Sequence, residues 1–176
     1  MNFLQFYTNI IFKYDLINKF NYTKNVNIPK LKKIILNINT TPTNITHCLI
    51  PTMLSLELIL LKKSKLTNSK FSNLNLKIKK GNVNGCKIIL KKKKMYFFFF
   101  KLILDILPKI NKRFVIKKNT IFYKNFSFKI ETILMFSELE YYYKFFKNIS
   151  FLNITIITTT LNRYEFFFLF KTFKFF

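Results

Sequence analysis

His47 and Cys48 stand side by side, and Cys86 completes the chain's stock of imidazole and thiol groups. These residue types ligate zinc or attack a carbonyl. One His and two well-separated Cys cannot close a tetrahedral zinc site, and the cysteines lack metal-ligand spacing. Both read as buried or unpaired thiols. His47 lies in a Thr/Pro-rich stretch with no carboxylate beside it, so it is a poor general base. Glu138 and Glu140 are two residues apart, which does not put them on one helical face. They read as acids of a first helical turn, where the macrodipole favours them. No Gly-rich phosphate loop or zinc-protease helix occurs. Neither catalysis nor a metal or cofactor is expected. An RNA-modifying enzyme is a distant alternative, because it would need a catalytic pair that the sequence does not offer.

The abundant chemistry is that of lysine. Lys and Arg number 31 against 7 acids, a formal net charge of +24 on 176 residues. A compact body so charged repels itself, and a polyanion relieves the repulsion. Nucleic acid and an anionic membrane surface are the two usual partners. Half the residues are hydrophobic, too many for a disordered chain. The chain is dominated by Lys, Asn, Ile, Phe, Leu and Thr and has no Ala or Trp, the mark of an AT-rich, organelle-type coding sequence. The opening "MNFLQFYTNIIFKYD" lacks a basic segment ahead of its apolar residues and is poor in Arg and Ser. Unlike a signal or transit peptide, it suggests a protein made in the compartment where it works.

The stretch "KIILKKKKMYFFFF", Lys87 to Phe100, brings lysines and phenylalanines together. A spanning helix needs about 20 mostly apolar residues. The Phe run is bounded by Lys94 and Lys101, and the longest uncharged stretch, Ile34 to Leu56, is broken by Pro42 and Pro51. No membrane span is therefore expected. On a helix over 93–107, Lys94, Lys101 and Asp105 share one stripe. The Phe run then reads as the buried face of a core helix, with Pro108 ending it. Other helices are predicted over 3–20, over 51–62 with Pro51 in the first turn, and over 162–171.

Five segments alternate with period two, as half-buried strands do. They are "KKIILNIN", "NLKIK", "GCKIILK", "FSFKI" and "FLNITIITT". Each has one apolar edge. The other edges carry Lys33, Asn37, Asn39, Lys77, Lys79, Lys87, Lys91, Lys129 and Asn153. The predicted fold class is α+β: one domain over 1–176, with an antiparallel sheet of about five strands. Helices pack on one face and the other face is basic and RNA-binding. Solvated surfaces mix both signs of charge, whereas these strand segments carry no acid. Lys with Asn suits phosphate contacts plus hydrogen bonds to bases or 2′-hydroxyls.

Three blocks resemble one family. "LINKFNYTKNVNIPKLKKIILNIN" (16–39) resembles the N-terminal signature of the universal large-subunit ribosomal protein number five. "NGCKIILKKKKMYFFFFKLILDILPKI" (84–110) resembles its central segment, and "FSFKIETILMFSELEYYYKFFKNISFLNITIITTT" (126–160) its C-terminal one. The resemblance implies a structural, non-enzymatic protein of the large ribosomal subunit at the central protuberance. Its implied partners are large-subunit rRNA and 5S rRNA, small-subunit ribosomal protein thirteen in an intersubunit bridge, neighbouring large-subunit proteins, and peptidyl-site tRNA. Together with the composition it implies a mitochondrial, organelle-encoded protein.

Asn37 matches the family asparagine that contacts 5S rRNA. The implied rRNA-binding set is Lys33, Asn37, Asn39, Lys62, Lys87, Lys91 and Lys92. Residues 67–81 match the tRNA-facing basic loop with its flanking strand, through Lys70, Lys77, Lys79 and Lys80. The chain departs from the family pattern at Lys62, where a glutamine is usual, and at Ile89, where a threonine is usual. It also departs after "LPKI", where "NKRFVIKKNTIFYKN" replaces a Gly/Arg-rich stretch. A peripheral membrane protein anchored by aromatic helices such as "YEFFFLFKTFKFF" is the alternative.

Overall fold

Period-two alternation persists as strands in four of the five expected segments. The structure, a computed structural model, describes residues 6–8, 10–22, 24–40, 45–75, 78–110, 121–122, 124–173 and 175. The strands are β1 (Leu31–Asn39), β2 (Lys65–Asn68), β3 (Val83–Leu90), β4 (Ile121–Phe122), β5 (Asn125–Ile130) and β6 (Leu152–Thr158). They form one sheet in the order β2-β3-β1-β6-β5-β4. β2 pairs antiparallel with β3, and β4 with β5. At β1 and β6 the chain directions also oppose: Thr159 donates its N–H to Lys30 O, while Ser150 Oγ donates to Asn39 O.

The fifth expected strand, over 75–79, is not one. Its described part closes a turn through a single bridge, Asn73 to Ile78. Leu76 and Lys77 lie outside the described residues. The alternation there was real, but the segment sits within the β2–β3 connection and has no neighbouring strand to pair with. In its place β2 forms the sheet edge. Its residues are mostly exposed on both sides, so hydrophobic patterning did not reveal it.

The helices are α1 (Ile11–Lys19), α2 (Ile45–Leu60), α3 (Lys92–Lys101), α4 (Leu107–Lys109), α5 (Ser137–Glu140), α6 (Tyr143–Phe146) and α7 (Arg163–Thr172). Pro51 lies inside α2 rather than in its first turn. It lacks the N–H that the carbonyl of residue 47 would take. Downstream, Thr52 Oγ1 donates to Leu49 O at 2.7 Å and Ser55 Oγ to Thr52 O at 2.9 Å. Pro108 does not stop the long helix at its own position either. A π-helical segment, Leu102–Ile106, links α3 to α4, Pro108 sits in the first turn of α4, and the chain leaves the helix at Ile110. The two acids Glu138 and Glu140 do occupy a first turn, that of α5.

The contacts divide into two compact units. The first comprises Met1–Ile34, Leu90–Ser127 and Thr155–Phe176, and the second Ile35–Ile89 and Phe128–Ile154. β1, β3, β5 and β6 each contribute residues to both. The first unit has an aromatic core. Phe99 meets Phe173 edge-on at 5.0 Å, Phe170 lies 4.5 Å from Phe166, and Phe126 lies 5.2 Å from Phe170. Phe175 stacks on Phe99 at 5.5 Å. The aromatic C-terminal helix is therefore core packing rather than an interfacial anchor. Of the phenylalanine run, only Phe98 and Phe99 are buried, while Phe97 and Phe100 are exposed. In the second unit Leu36, Ile38, Ile88, Phe128, Ile130 and Ile154 are buried, as are Leu56 and Ile59 of α2 and Leu139 and Phe146. No helix among the described residues is long and apolar enough to cross a membrane.

Candidate nucleic-acid interface

Within the second unit, Cys86 and Ile88 of β3 are buried, so pleat alternation turns Lys87 to the opposite side. Lys65 of β2 pairs directly with Lys87. Two like charges opposite each other across a ladder are destabilising unless something neutralises them. A third ammonium joins them: Lys62 Nζ donates to the carbonyl of Ile89, two residues along the same strand. No acid lies between Glu57 and Asp105.

Gly85 explains how close β3 comes to β1. A Cβ on Gly85 would stand 2.1 Å from Ile38 O and 2.9 Å from Asn39 Cα, so only glycine allows this approach. With Gly85 against Asn39, the opposed strand directions bring Lys87 beside Asn37. The Asn37 Nδ2 donates to Asn39 Oδ1 at 2.9 Å. Its own Oδ1 is buried and finds no donor among the described residues, an acceptor left open on a cationic face. Lys129 stands on the same side of β5, with Nζ 4.5 Å above the Phe151 ring.

The end of α2 is set by Glu57 and Ser64. Leu61 takes a left-handed backbone (φ 48). Glu57 then accepts hydrogen bonds from Ser64 N at 2.8 Å and Ser64 Oγ at 3.0 Å. The Ser64 backbone and hydroxyl donors hold the Glu57 carboxyl below its ordinary range, with nearby Lys63 adding a smaller pull. This turn leads directly into β2 and so positions Lys62 and Lys65.

The β2–β3 connection is held by backbone bonds. Ser69 N donates to Asn82 O and Gly81 N to Ser69 O, at 2.8 and 3.0 Å. Asn73 and Ile78 exchange bonds of 2.9 and 3.0 Å, and Ser69 Oγ donates to Lys79 O at 2.6 Å. Gly81 adopts φ +89, which glycine does without strain. Lys70, Lys79 and Lys80 are exposed on this loop.

The expected residues thus fall into groups. Lys62, Asn37, Asn39 and Lys87 belong to the second unit, on or beside the open side of its strands. Lys33 is half-buried on β1 in the first unit. Lys91 is not a strand residue but the residue before α3, with extended backbone, and Lys92 takes a left-handed φ of 51. Lys79 lies in the loop rather than on the sheet, and Lys77 is outside the described residues. The polar face is also less uniform than its lysines suggested, because Ile35, Ile89 and Ile157 stand on it half-buried.

Sequence reasoning missed Lys65. Its meeting with Lys87 depends on the pairing register and on a bulge between Thr67 and Asn68. Cys86 is a buried free thiol, 3.8 Å from Thr52 Oγ1, and burial raises its pKa. Cys48 is free and half-buried. Among the described residues no group of His, Cys, Asp and Glu could hold a metal ion.

Residues 83–176 match the family model for the C-terminus of ribosomal uL5 proteins. The chain is 34% identical to "Large ribosomal subunit protein uL5m" of Reclinomonas americana over 168 residues, 94% of this chain and 92% of that protein. It is 34% identical to "Large ribosomal subunit protein uL5" of Wigglesworthia glossinidia brevipalpis over 144 residues, 80% of each chain. Against the uL5 protein of Nitrosomonas eutropha identity is 32% over 171 residues, 96% of this chain and 94% of the relative.

Proposed function

This chain belongs to the uL5 family of large ribosomal subunit proteins, and on that premise we propose that its open sheet side binds ribosomal RNA. Its part in the ribosome is structural, not catalytic. The observation that carries the RNA reading is the meeting of Lys62, Lys65 and Lys87 at the β2–β3 edge, with Asn37 beside them. Facing lysines raise the energy of the free protein, and phosphates lower it when they displace counterions from the polyanion. The unpaired Asn37 acceptor suits a 2′-hydroxyl or a base amino group.

In this reading Lys33, Asn39, Lys91 and Lys92 add rRNA contacts, with 5S rRNA, large-subunit rRNA or both as ligand. The protein sits at the central protuberance as one ribosomal-protein domain. It touches small-subunit ribosomal protein thirteen across the subunit interface and turns the Lys70–Lys80 loop toward peptidyl-site tRNA. The biased composition and the likeness to a uL5m protein support a mitochondrial ribosome and an organellar gene.

The test has two parts. Tagged protein should co-sediment with large subunits through a high-salt sucrose cushion. In filter binding to rRNA fragments, Lys65→Gln and Lys87→Gln should each flatten the log affinity–log salt slope by about one. Unchanged slopes with intact folding would remove the sheet side from the interface.

A further inference from the structure

The β2–β3 loop exposes two large apolar side chains where a loop would ordinarily carry polar ones. Phe71 is 82% exposed and Leu74 92%. Lys70 precedes Phe71, and Lys79 and Lys80 lie on the returning arm. Between them stand Ser72, Asn73 and Asn75, groups able to bond base edges. The loop does not fold its aromatic side chain away. The bonds from Ser69 to Lys79, Gly81 and Asn82, and those between Asn73 and Ile78, clamp the segment on both sides of Phe71.

We infer that Phe71 is a stacking platform for an unpaired base of a folded RNA, with Lys70, Lys79 and Lys80 holding the flanking phosphates. The inference rests on the RNA-binding reading above and goes beyond it by naming the ligand as a single-stranded element. A base offers a flat apolar face, and its stacking on an aromatic ring tolerates any sequence. Duplex RNA offers no such face, because its bases are stacked on one another. The absence of any acid between Glu57 and Asp105 keeps repulsion away from the phosphates on either side. Phe, Leu and Lys at a loop tip also resemble a membrane-inserting tip. Two apolar side chains among Ser, Asn and Lys give little area to bury in lipid, whereas those polar neighbours match what a base presents.

The experiment compares two RNAs with the full chain. One is a hairpin with an unpaired loop carrying 2-aminopurine, and the other a blunt duplex with the same number of phosphates. Wild type should bind the hairpin more tightly and quench the 2-aminopurine. Phe71→Ala and Phe71→Leu should each weaken hairpin binding about tenfold and abolish the quenching, with duplex binding unchanged. Phe71→Trp should retain both, and unchanged melting curves should show that all variants fold. Equal hairpin affinity for wild type and Phe71→Ala, with duplex binding intact, overturns the stacking platform and leaves the RNA reading standing. Failure of wild type to bind either RNA overturns both. Flotation on phosphatidylglycerol vesicles that Phe71→Ala abolishes, with hairpin binding unaltered, would assign the tip to a membrane instead.

Discussion

Helices α3 and α7 share a composition of basic residues and phenylalanines, yet their N-termini are opposites. At α7, Asn162 accepts from the N-terminal backbone, and Glu165 Oε2 accepts from Leu161 N at 3.2 Å and Asn162 N at 3.4 Å. The chain thus places an acid where the helix dipole is positive. That carboxylate and burial push the Tyr22 phenol up. At α3, Lys91 precedes the helix without a side-chain cap, Lys92 is left-handed, and Lys93 and Lys94 follow, all exposed. Positive charge then meets the positive dipole end. The comparison teaches that α7 is satisfied from within, whereas α3 is left to be satisfied from outside, which agrees with a phosphate ligand.

The sharpest test of that contrast is in the hydrophobic halves of the two helices. Phe170→Ala in α7 should cost about 3–5 kcal/mol in denaturant unfolding, because it empties the centre of a packed ring cluster. Phe97→Ala in α3, 61% exposed, should change stability by less than about 0.5 kcal/mol. Equal effects would break the comparison.

Caps come next in size. Asn162→Ala should cost about 1 kcal/mol by removing the reciprocal cap of α7. Lys91→Asp should do the reverse at α3. It places a capping acid on a residue that already has extended backbone, and should stabilise the free protein by about 0.5–1 kcal/mol. The same change should weaken rRNA binding and lower its salt slope. Opposite signs in melting and binding would sharpen the reading, and tighter binding would reverse it.

The smallest expected effect is at the end of α2. Glu57 has its pKa lowered from an ordinary 4.5 by the Ser64 donors. Its contribution is fully present above the unfolded value and is lost as pH falls through the lower folded value. Wild type should lose stability over that acidic window faster than Glu57→Gln. Parallel pH profiles would mean that the Ser64 turn does not depend on the charge.

The parts of this fold legible in the sequence were those governed by local pattern. Strands β1, β3, β5 and β6 announced themselves by alternation, and α7 by its aromatic stripe. The same rule misled at 75–79, where Leu and Ile alternate with Lys and Asn in a loop without a partner strand. It was silent at β2, whose exposed edge has no core face to encode. Pro51 was placed at a helix start by its usual preference, but the helix extends a further turn and a half toward the N-terminus. For the candidate site, Lys87 and Asn37 were readable because they oppose buried neighbours on their own strands. Lys65 was not.

The order of apolar and polar residues along each strand decided, without any structure, which side chains could face a core and which could meet an anion. That is a property of one pleated ribbon and needs only adjacent residues. Which lysines come together was decided by the fold alone. Lys62, Lys65 and Lys87 converge through a left-handed turn at Leu61, the register of β2 on β3 and a strand approach that Gly85 permits. Their mutual repulsion depends on distances across strands, and no spacing along the chain records those distances.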